Sequence, residues 1–548
     1  MCATFLRTGA RGLALLGTLA IAVGCTKVGG GSSVARHNPT THAHELRYSD
    51  GEDIGGLNPM FFQQSSVAYL ADMTMAWLFR YDHENRPVPE LATEVPTKRN
   101  GDIDAAGTTI RLKLRRNVVW SDGKPFTADD VIFTTNEMND PRNPVATREG
   151  FELVTKMDEP DKYTVVFHLR RPYGLFLPNF FTTGNSQPAI LPKHLFPHPG
   201  DLSHAAYNAL PVGIGPFAFE TWQRGVSVTM VRNPTYWRGR PKLDRVTYDI
   251  YNNANTLLTQ VQTGNVDLYV RTPTNLVGQA RAIHGYHVAI GPSYLYEHYD
   301  FNLARPALAD VAVRRALRLA INRPEIVGKV MRGNATLGDS FMPPTYPDVP
   351  KNVAKIPYDV ARANAMLDAA GWQRGADGIR AKNGNRLVLA VALVSGNPFL
   401  DQIVELTRAW WGKIGVGLTV KGYLASQLFD PLAGILRKGN FDVALFTWQD
   451  PAVQDFSEIF ACSSIPPGGQ NYGRWCDPAL TPLLRDFENY YEIEQHGPIL
   501  GKIDKRIIAQ VPSVVLYWSD HIDTENDDLT GFRPNQVSFF DDMMNVDI

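Results

Sequence analysis

Hydrophobic and polar positions alternate cleanly in one early stretch. In Thr109-Ile110-Arg111-Leu112-Lys113-Leu114-Arg115, the apolar residues point one way and the basic residues the other, which predicts a half-buried strand. The following segment WSDGKPFTADDVIFT (120–134) changes period. Asp122-Gly123 predicts a turn, and Pro125 keeps Lys124 extended. Thr127 predicts an N-cap, and Asp129 and Asp130 fall where a helix dipole favours anions. Val131, Ile132 and Phe133 give that helix its buried side. The capping pattern accounts for the two carboxylates without assigning them acid–base chemistry.

The same reading continues along the chain. Residues 163–169 alternate as a strand, with His168 on the polar face, in contact with solvent. Strands are predicted at 226–231 and 246–250, and a helix at 256–263 closed by Gly264. From Phe301 the character changes. Asp310 caps a helix with Val313, Leu317, Ala320 and Ile321 on one side. A helix at 360–370 ends at Gly371. A strand at 387–394, a helix at 398–414 and a strand at 416–421 follow, and this alternation predicts an α/β lobe. Residues 511–517 predict a late apolar strand, and the tail beyond reads as polar and irregular. No internal repeat is visible.

Composition narrows the class. A chain of 548 residues predicts about three to four domain-sized units. With 44% hydrophobic and 20% charged residues it is an ordinary globular chain. A net charge of −2 and the lack of a basic stripe interleaved with aromatics give no reason to expect nucleic acid. The 26 Phe, 10 Trp and 21 Tyr exceed the needs of turns and caps, so some are available to line a cleft.

The N-terminus carries the sharpest local signal. Arg7 and Arg11 precede an apolar run, Gly12 to Val23, which ends in small residues and Cys25. That is a secretory signal, too short to span a bilayer comfortably. It resembles a bacterial lipoprotein signal, in which the Cys becomes the first residue and is acylated; Ala22 stands where Leu is commonest. Residues 1–24 then form the signal peptide and 25–44 a Gly/Ser-rich flexible tether. His37, His42 and His44 near its end read as a solvated tail, with no metal site. Cys2 leaves with the signal. Cys462 and Cys476 remain, an even pair in an exported protein, which predicts a disulfide closing a loop of about 15 residues. A zinc site would need more thiols and CxxC spacing.

Several blocks in order resemble one family. TTIRLKLRRNVVWSDGKPFTADDVIFT (108–134), IGPFAFETWQRGVSVTMVRNPTYWRGRPKLDRV (214–246), QTGNVDLYV (262–270), FNLARPALADVAVRRALRLAINRPEIV (301–327) and GGQNYGRWCDPAL (468–480) are similar to the family 5 extracellular solute-binding proteins. These are the dipeptide- and oligopeptide-binding proteins of ABC importers. The resemblance implies an α/β two-lobed, periplasmic-binding-protein-like clamshell. Lobe 1 would comprise 45–296, with an inserted subdomain, and a return at 517–548; lobe 2 would comprise 297–516. The chain would capture a peptide outside the cytoplasmic membrane, in the periplasm or at the outer cell surface. As a lipid-anchored monomer without cofactor, it would hand the peptide to permease subunits.

By the same resemblance, Gln63, Gln64, Ser65, Ser66, Trp448, Gln449 and Asp450 face the ligand, and Asp450 pairs the peptide α-amine. The run after Trp448 is shorter than the family pattern, so Asp455 competes with Asp450. Relatives that carry nickel complexes, haem, glutathione or oligosaccharides supply alternative ligands. An exported hydrolase is the competing class, and a sensor or chaperone using the same clamshell is a third. No GxSxG, HExxH or Walker-type loop is present. Gly213-Ile214-Gly215 lacks a third glycine and reads as a turn, and Asp541-Asp542 falls in the polar tail.

Overall fold

A computed structural model describes residues 38–548 except 63, 83–85, 146–147, 149, 184–187, 347–352, 431–432, 454 and 492–494. Cys25, His37 and Gln63 therefore lie outside the described residues.

One 11-stranded sheet organises the chain. Two long strands, Tyr286–Phe301 and Ser513–Asn526, pair antiparallel at its centre. On one side come Val443–Gln449, Val388–Val394 and Gly417–Tyr423; the last two pairings are parallel. On the other side come Leu268–Tyr269, Glu45–Ser49, Arg245–Asp249, Ser227–Arg232 and Phe217–Gln223. Each half packs its own apolar core. Val391, Leu445, Trp411 and Leu516 belong to one, and Leu46, Tyr48, Val246 and Phe540 to the other. A further cluster, with Leu112, Phe167, Tyr296 and Ile503, draws on both halves. The central pair is irregular where the halves meet. Pro292 faces Asp520 and Tyr296 faces Trp518, so the register shifts between them.

Most expected local elements form within a residue or two, but the helix that Asp310 caps ends at Leu319, short of Ile321. The first alternating run is the strand Thr109–Lys113, with Ile110 and Leu112 buried and Arg111 exposed. It pairs with Thr164–Leu169, where His168 reaches Asp158 at 2.8 Å on a half-exposed face. The helix Ala128–Asn139 lies against this small sheet. Asp130 does more than complement the dipole. One carboxylate oxygen accepts from the Thr127 N–H at 3.0 Å and from the Trp120 indole at 3.4 Å; the other accepts from the Lys193 N–H at 2.9 Å. Turn, cap and helix are thus tied into one knot, whereas Asp129 makes an exposed pair with Lys193. Gly213 and Gly215 pack against the backbone of Met73–Met75; a Cβ on Gly213 would stand 1.9 Å from the Thr74 carbonyl. The turn needs their smallness, not a nucleotide phosphate.

Three expectations change. The late strand runs Ser513–Asn526, nine residues past its predicted end of 517. Its C-terminal end, 522–526, is buried, and polar groups there find partners: Thr524 meets Thr272 at 2.8 Å, and Asn526 donates to Asp267 at 3.0 Å. The tail beyond is no polar fringe. Phe539, Phe540, Met543 and Val546 enter the core, Phe540 packs 4.8 Å from Tyr48, and Asp541 pairs with Arg80 at 2.7 Å in a largely buried site. The end of the expected tether is also docked. Asn38 N–H and the Thr41 hydroxyl donate to Asp528 at 2.6 and 2.7 Å, so 38–44 belongs to the folded body. His42 and His44 stay half exposed beside Glu45 and Asp547.

Glu297 is buried in the central strand, where the Thr447 hydroxyl donates to it at 2.8 Å. Burial pushes its carboxyl up to about 8. The folded chain therefore keeps a proton that the unfolded chain releases above about pH 4.3, the ordinary Glu value. Stability from this group is complete below that pH and declines as pH rises through about 8. Glu297→Gln is expected to raise the melting temperature at pH 8.5 and to change it little at pH 5. An equal shift at both pH values would contradict this.

Candidate ligand-binding site

Strand register gathers aromatic side chains on one face of the sheet. Tyr296 stands opposite both Trp448 and Trp518, and His298 opposite Phe446. Residues two apart on a strand share a face, so these side chains meet. Tyr296 lies 4.8 Å from Trp518 and 5.1 Å from His298, ring centre to ring centre. Phe446 meets the His298 ring edge-on at 4.3 Å. Trp448 is nearly parallel to His298 at 6.5 Å and to Tyr472 at 6.4 Å. Met60 and Phe61, from the other half of the molecule, join the same apolar cluster.

Tyr472 reaches this face from a loop that the sequence alone leaves floppy. Asn471, which is buried, donates from Nδ2 to the Ala461 and Trp475 carbonyls at 3.0 and 2.7 Å. The sulfurs of Cys462 and Cys476 stand 2.11 Å apart at the loop's base.

Carboxylates surround the rings. Asp300 continues the Tyr296–His298 face, its Oδ1 3.6 Å from His298 Nε2. Asp450 is buried, and its N–H donates to the Tyr294 carbonyl at 2.9 Å. Asp455 accepts from the Ser457 N–H at 2.8 Å through one oxygen, and its other oxygen is buried without a hydrogen-bond partner. Burial and the nearby Asp455 push the Glu458 carboxyl up to about 7. Burial, then Asp450, Asp300 and Glu458, push the Tyr296 phenol well above its usual range. Among the described residues, no three His, Cys, Asp or Glu side chains are arranged to hold a metal ion. The arrangement can bind and orient a cation, and it offers no activated nucleophile.

The residues singled out from the sequence do not all converge here. Trp448 and Asp450 belong to this face. Gln449 points the other way, as strand alternation requires, and lines a separate cleft of about 340 Å³ with Tyr69, Arg271 and His521. Arg271 in that cleft is already held by Asp50 and Glu52 at 3.0 and 2.8 Å, so the aromatic face has the stronger claim to the ligand. Ser66 is buried with its hydroxyl 2.7 Å from Asp50 and 2.8 Å from Glu52, committed to the lobe interior. Gln64 ties down the adjacent loop through the Asp53 carbonyl and the Gly55 N–H, and Ser65 opens the helix Ser65–Thr74. The segment's contribution to the aromatic cluster comes instead from Met60 and Phe61.

Tyr296, His298, Asp300, Tyr472 and Glu458 escaped the sequence reading. In the run Tyr294-Leu295-Tyr296-Glu297-His298-Tyr299-Asp300-Phe301 both alternation phases mix polar and apolar residues, so no face declares itself.

The model of bacterial extracellular solute-binding proteins, family 5 (Middle), matches residues 86–463. The chain belongs to this family. Its two-lobed α/β fold is that of family 5 periplasmic binding proteins. The chain is 26% identical over 486 residues to the oligopeptide-binding protein AppA of Bacillus subtilis, covering 87% of this chain and 86% of that one. It is 25% identical over 487 residues to a probable di/tripeptide-binding protein 5 of Pseudomonas aeruginosa, covering 84% and 86%. Among solved structures, AppA from Bacillus subtilis in complex with a nonapeptide superposes with a TM-score of 0.79 at 25% identity, covering 92% of this chain and 98% of that one. NikZ from Campylobacter jejuni in complex with Ni(L-His) shares the fold at a TM-score of 0.78 and 23% identity, covering 91% and 97%.

Proposed function

We propose that this family 5 protein captures peptides outside the cytoplasmic membrane and delivers them, chemically intact, to the permease of an ABC importer. One observation carries the reading. An aromatic face with carboxylates near it stands in a fold shared with the AppA–nonapeptide complex at a TM-score of 0.79. An extended peptide offers the main-chain hydrogen bonds and the α-amine that such a face can take. Asp450 and Trp448 hold its N-terminal end, with Asp455 as the competing carboxylate. The chain works as a binding protein and not as an enzyme, as a monomer and without a cofactor.

Closure follows from the fold. We place the lobe boundaries at 296/297 and 516/517, beside the register shift of the two long strands, where a small rotation disturbs the fewest ladder bonds. Far from that pivot the halves touch. Arg171 pairs with Glu488 at 2.5 Å, and the Tyr491 hydroxyl accepts from the Tyr173 N–H at 2.7 Å and donates to the Gly107 carbonyl at 2.5 Å. These contacts belong to the closed trap.

Export completes the reading: the N-terminal signal, acylation at Cys25, and oxidation of Cys462 and Cys476 to a disulfide. The link secures the loop bearing Tyr472 and is worth about 3 kcal/mol in the chain-entropy account.

Three outcomes are expected. Native mass spectrometry and calorimetry should detect bound peptides, and Asp450→Asn should weaken a free-amine peptide by about 1–3 kcal/mol while an N-acetylated peptide discriminates less between the two proteins. Unaltered affinity would remove Asp450 from the site. Cys25→Ala should move the protein from the membrane to the soluble fraction on cell fractionation; continued membrane association would refute the anchor. Peptide mapping of unreduced protein should recover Cys462 and Cys476 in one linked fragment, and free thiols at both would refute the link.

A further inference from the structure

The ligand face gathers more carboxyl groups than one peptide terminus can pair. Asp300, Asp450 and Glu458 act on the Tyr296 ring, Asp455 lies near Glu458, and the α-amine assigned to Asp450 supplies a single positive charge. Among the described residues, no Lys or Arg stands within ion-pair distance of Asp300, Asp455 or Glu458. Arg437 acts on the Tyr472 phenol but donates to the Pro467 carbonyl, and Arg474 donates to the Tyr472 and Arg437 carbonyls. Burying like charges together without a counter-ion is costly, and folding alone gives no reason to keep them so.

A second observation is independent of the carboxylates. His298 is only 1% exposed, yet neither ring nitrogen has a hydrogen-bond partner, with only Asp300 at 3.6 Å. Ser457, 8% exposed, likewise keeps an unpartnered hydroxyl between Asp455 and Glu458 in the chain. Buried polar side chains are normally satisfied, so these groups await a partner that arrives with the ligand. Burial raises the Tyr472 phenol, and Glu458 and Asp300 raise it further against Arg437, so both acids act at the ring that parallels Trp448.

We propose that Asp300, Glu458 and the faces of Trp448 and Tyr472 form a subsite for a basic side chain of the bound peptide, so that the protein prefers peptides containing Arg or Lys. The inference rests on the peptide reading above and adds a charge requirement to it. Trp448 and Tyr472 lie 9° from parallel and present π-faces to a cation. A guanidinium suits the place best, being flat enough to stack and forked enough to bond a carboxylate. A bare metal ion does not suit it, since no three donors among the described residues converge.

The test compares peptides that differ only in charge. Tri- and tetrapeptides carrying Arg at each position in turn are titrated calorimetrically into the full-length protein beside the same peptides with citrulline. At one position or more, Arg is expected to bind about tenfold tighter or better, the scale of one charge-assisted contact. In Asp300→Asn, Glu458→Gln and the double variant, each checked by its melting temperature, that ratio should fall to about threefold or less. Equal affinity of Arg and citrulline peptides at every position in the wild-type protein would overturn the charge preference and leave peptide capture standing. A tenfold preference that survives in the double variant would overturn the assignment to these two carboxylates. Failure of every peptide to bind or to shift the melting temperature would overturn the peptide reading and this inference together.

Discussion

The antiparallel pairing of Tyr286–Phe301 with Ser513–Asn526 is the constraint on which the rest depends. Both strands run through both halves of the sheet, so one ladder of backbone hydrogen bonds sets the position of each half against the other. Inserted residues between Pro292 and Tyr296 interrupt that ladder at the border. A continuous ladder would resist rotation, and two independent sheets would leave the halves unregistered. A bulged ribbon suits the pivot proposed for closure. The same register sets Tyr296 against Trp448 and Trp518, so pivot and ligand face come from one set of pairings.

Around that ribbon, polar groups divide into two kinds. Some are satisfied within the fold: Asp130 in its turn-and-helix knot, Asp267 beneath Arg47 and Asn526, Asp541 against Arg80. Others are not, among them His298 and one oxygen of Asp455 near the candidate site and the Tyr48 and Tyr81 hydroxyls away from it.

Much of the fold is legible in the sequence because its determinants are local. The alternation at 109–115, the Thr127 cap and the Gly264 and Gly371 stops follow from side-chain period and backbone preference, and they appear within a residue or two of expectation. Ordered blocks along the chain also reveal the family. The candidate site is half legible. Trp448 and Asp450 emerge from resemblance, and the partner of the Trp, Tyr472, sits inside a quoted block without declaring its role. Gln449 and Ser66 look equivalent to their neighbours in a string of letters, but strand alternation and a pair of carboxylates turn them elsewhere.

By itself, the sequence determined the local elements and the family, and it supplied the expectation of an export signal and of paired cysteines. Each depends on residues within a few positions of one another or on a pattern preserved in order. Only the tertiary structure decided that the strand end 522–526 is buried, that the tail returns Phe539 and Phe540 to the core, and that Asp300 and His298 share one face. Burial of a polar residue depends on whether a partner distant in the chain arrives to bond it. Thr272 meets Thr524, and Asp267 meets Asn526, across more than 250 residues. No local period encodes such an encounter; the folded ribbon creates it.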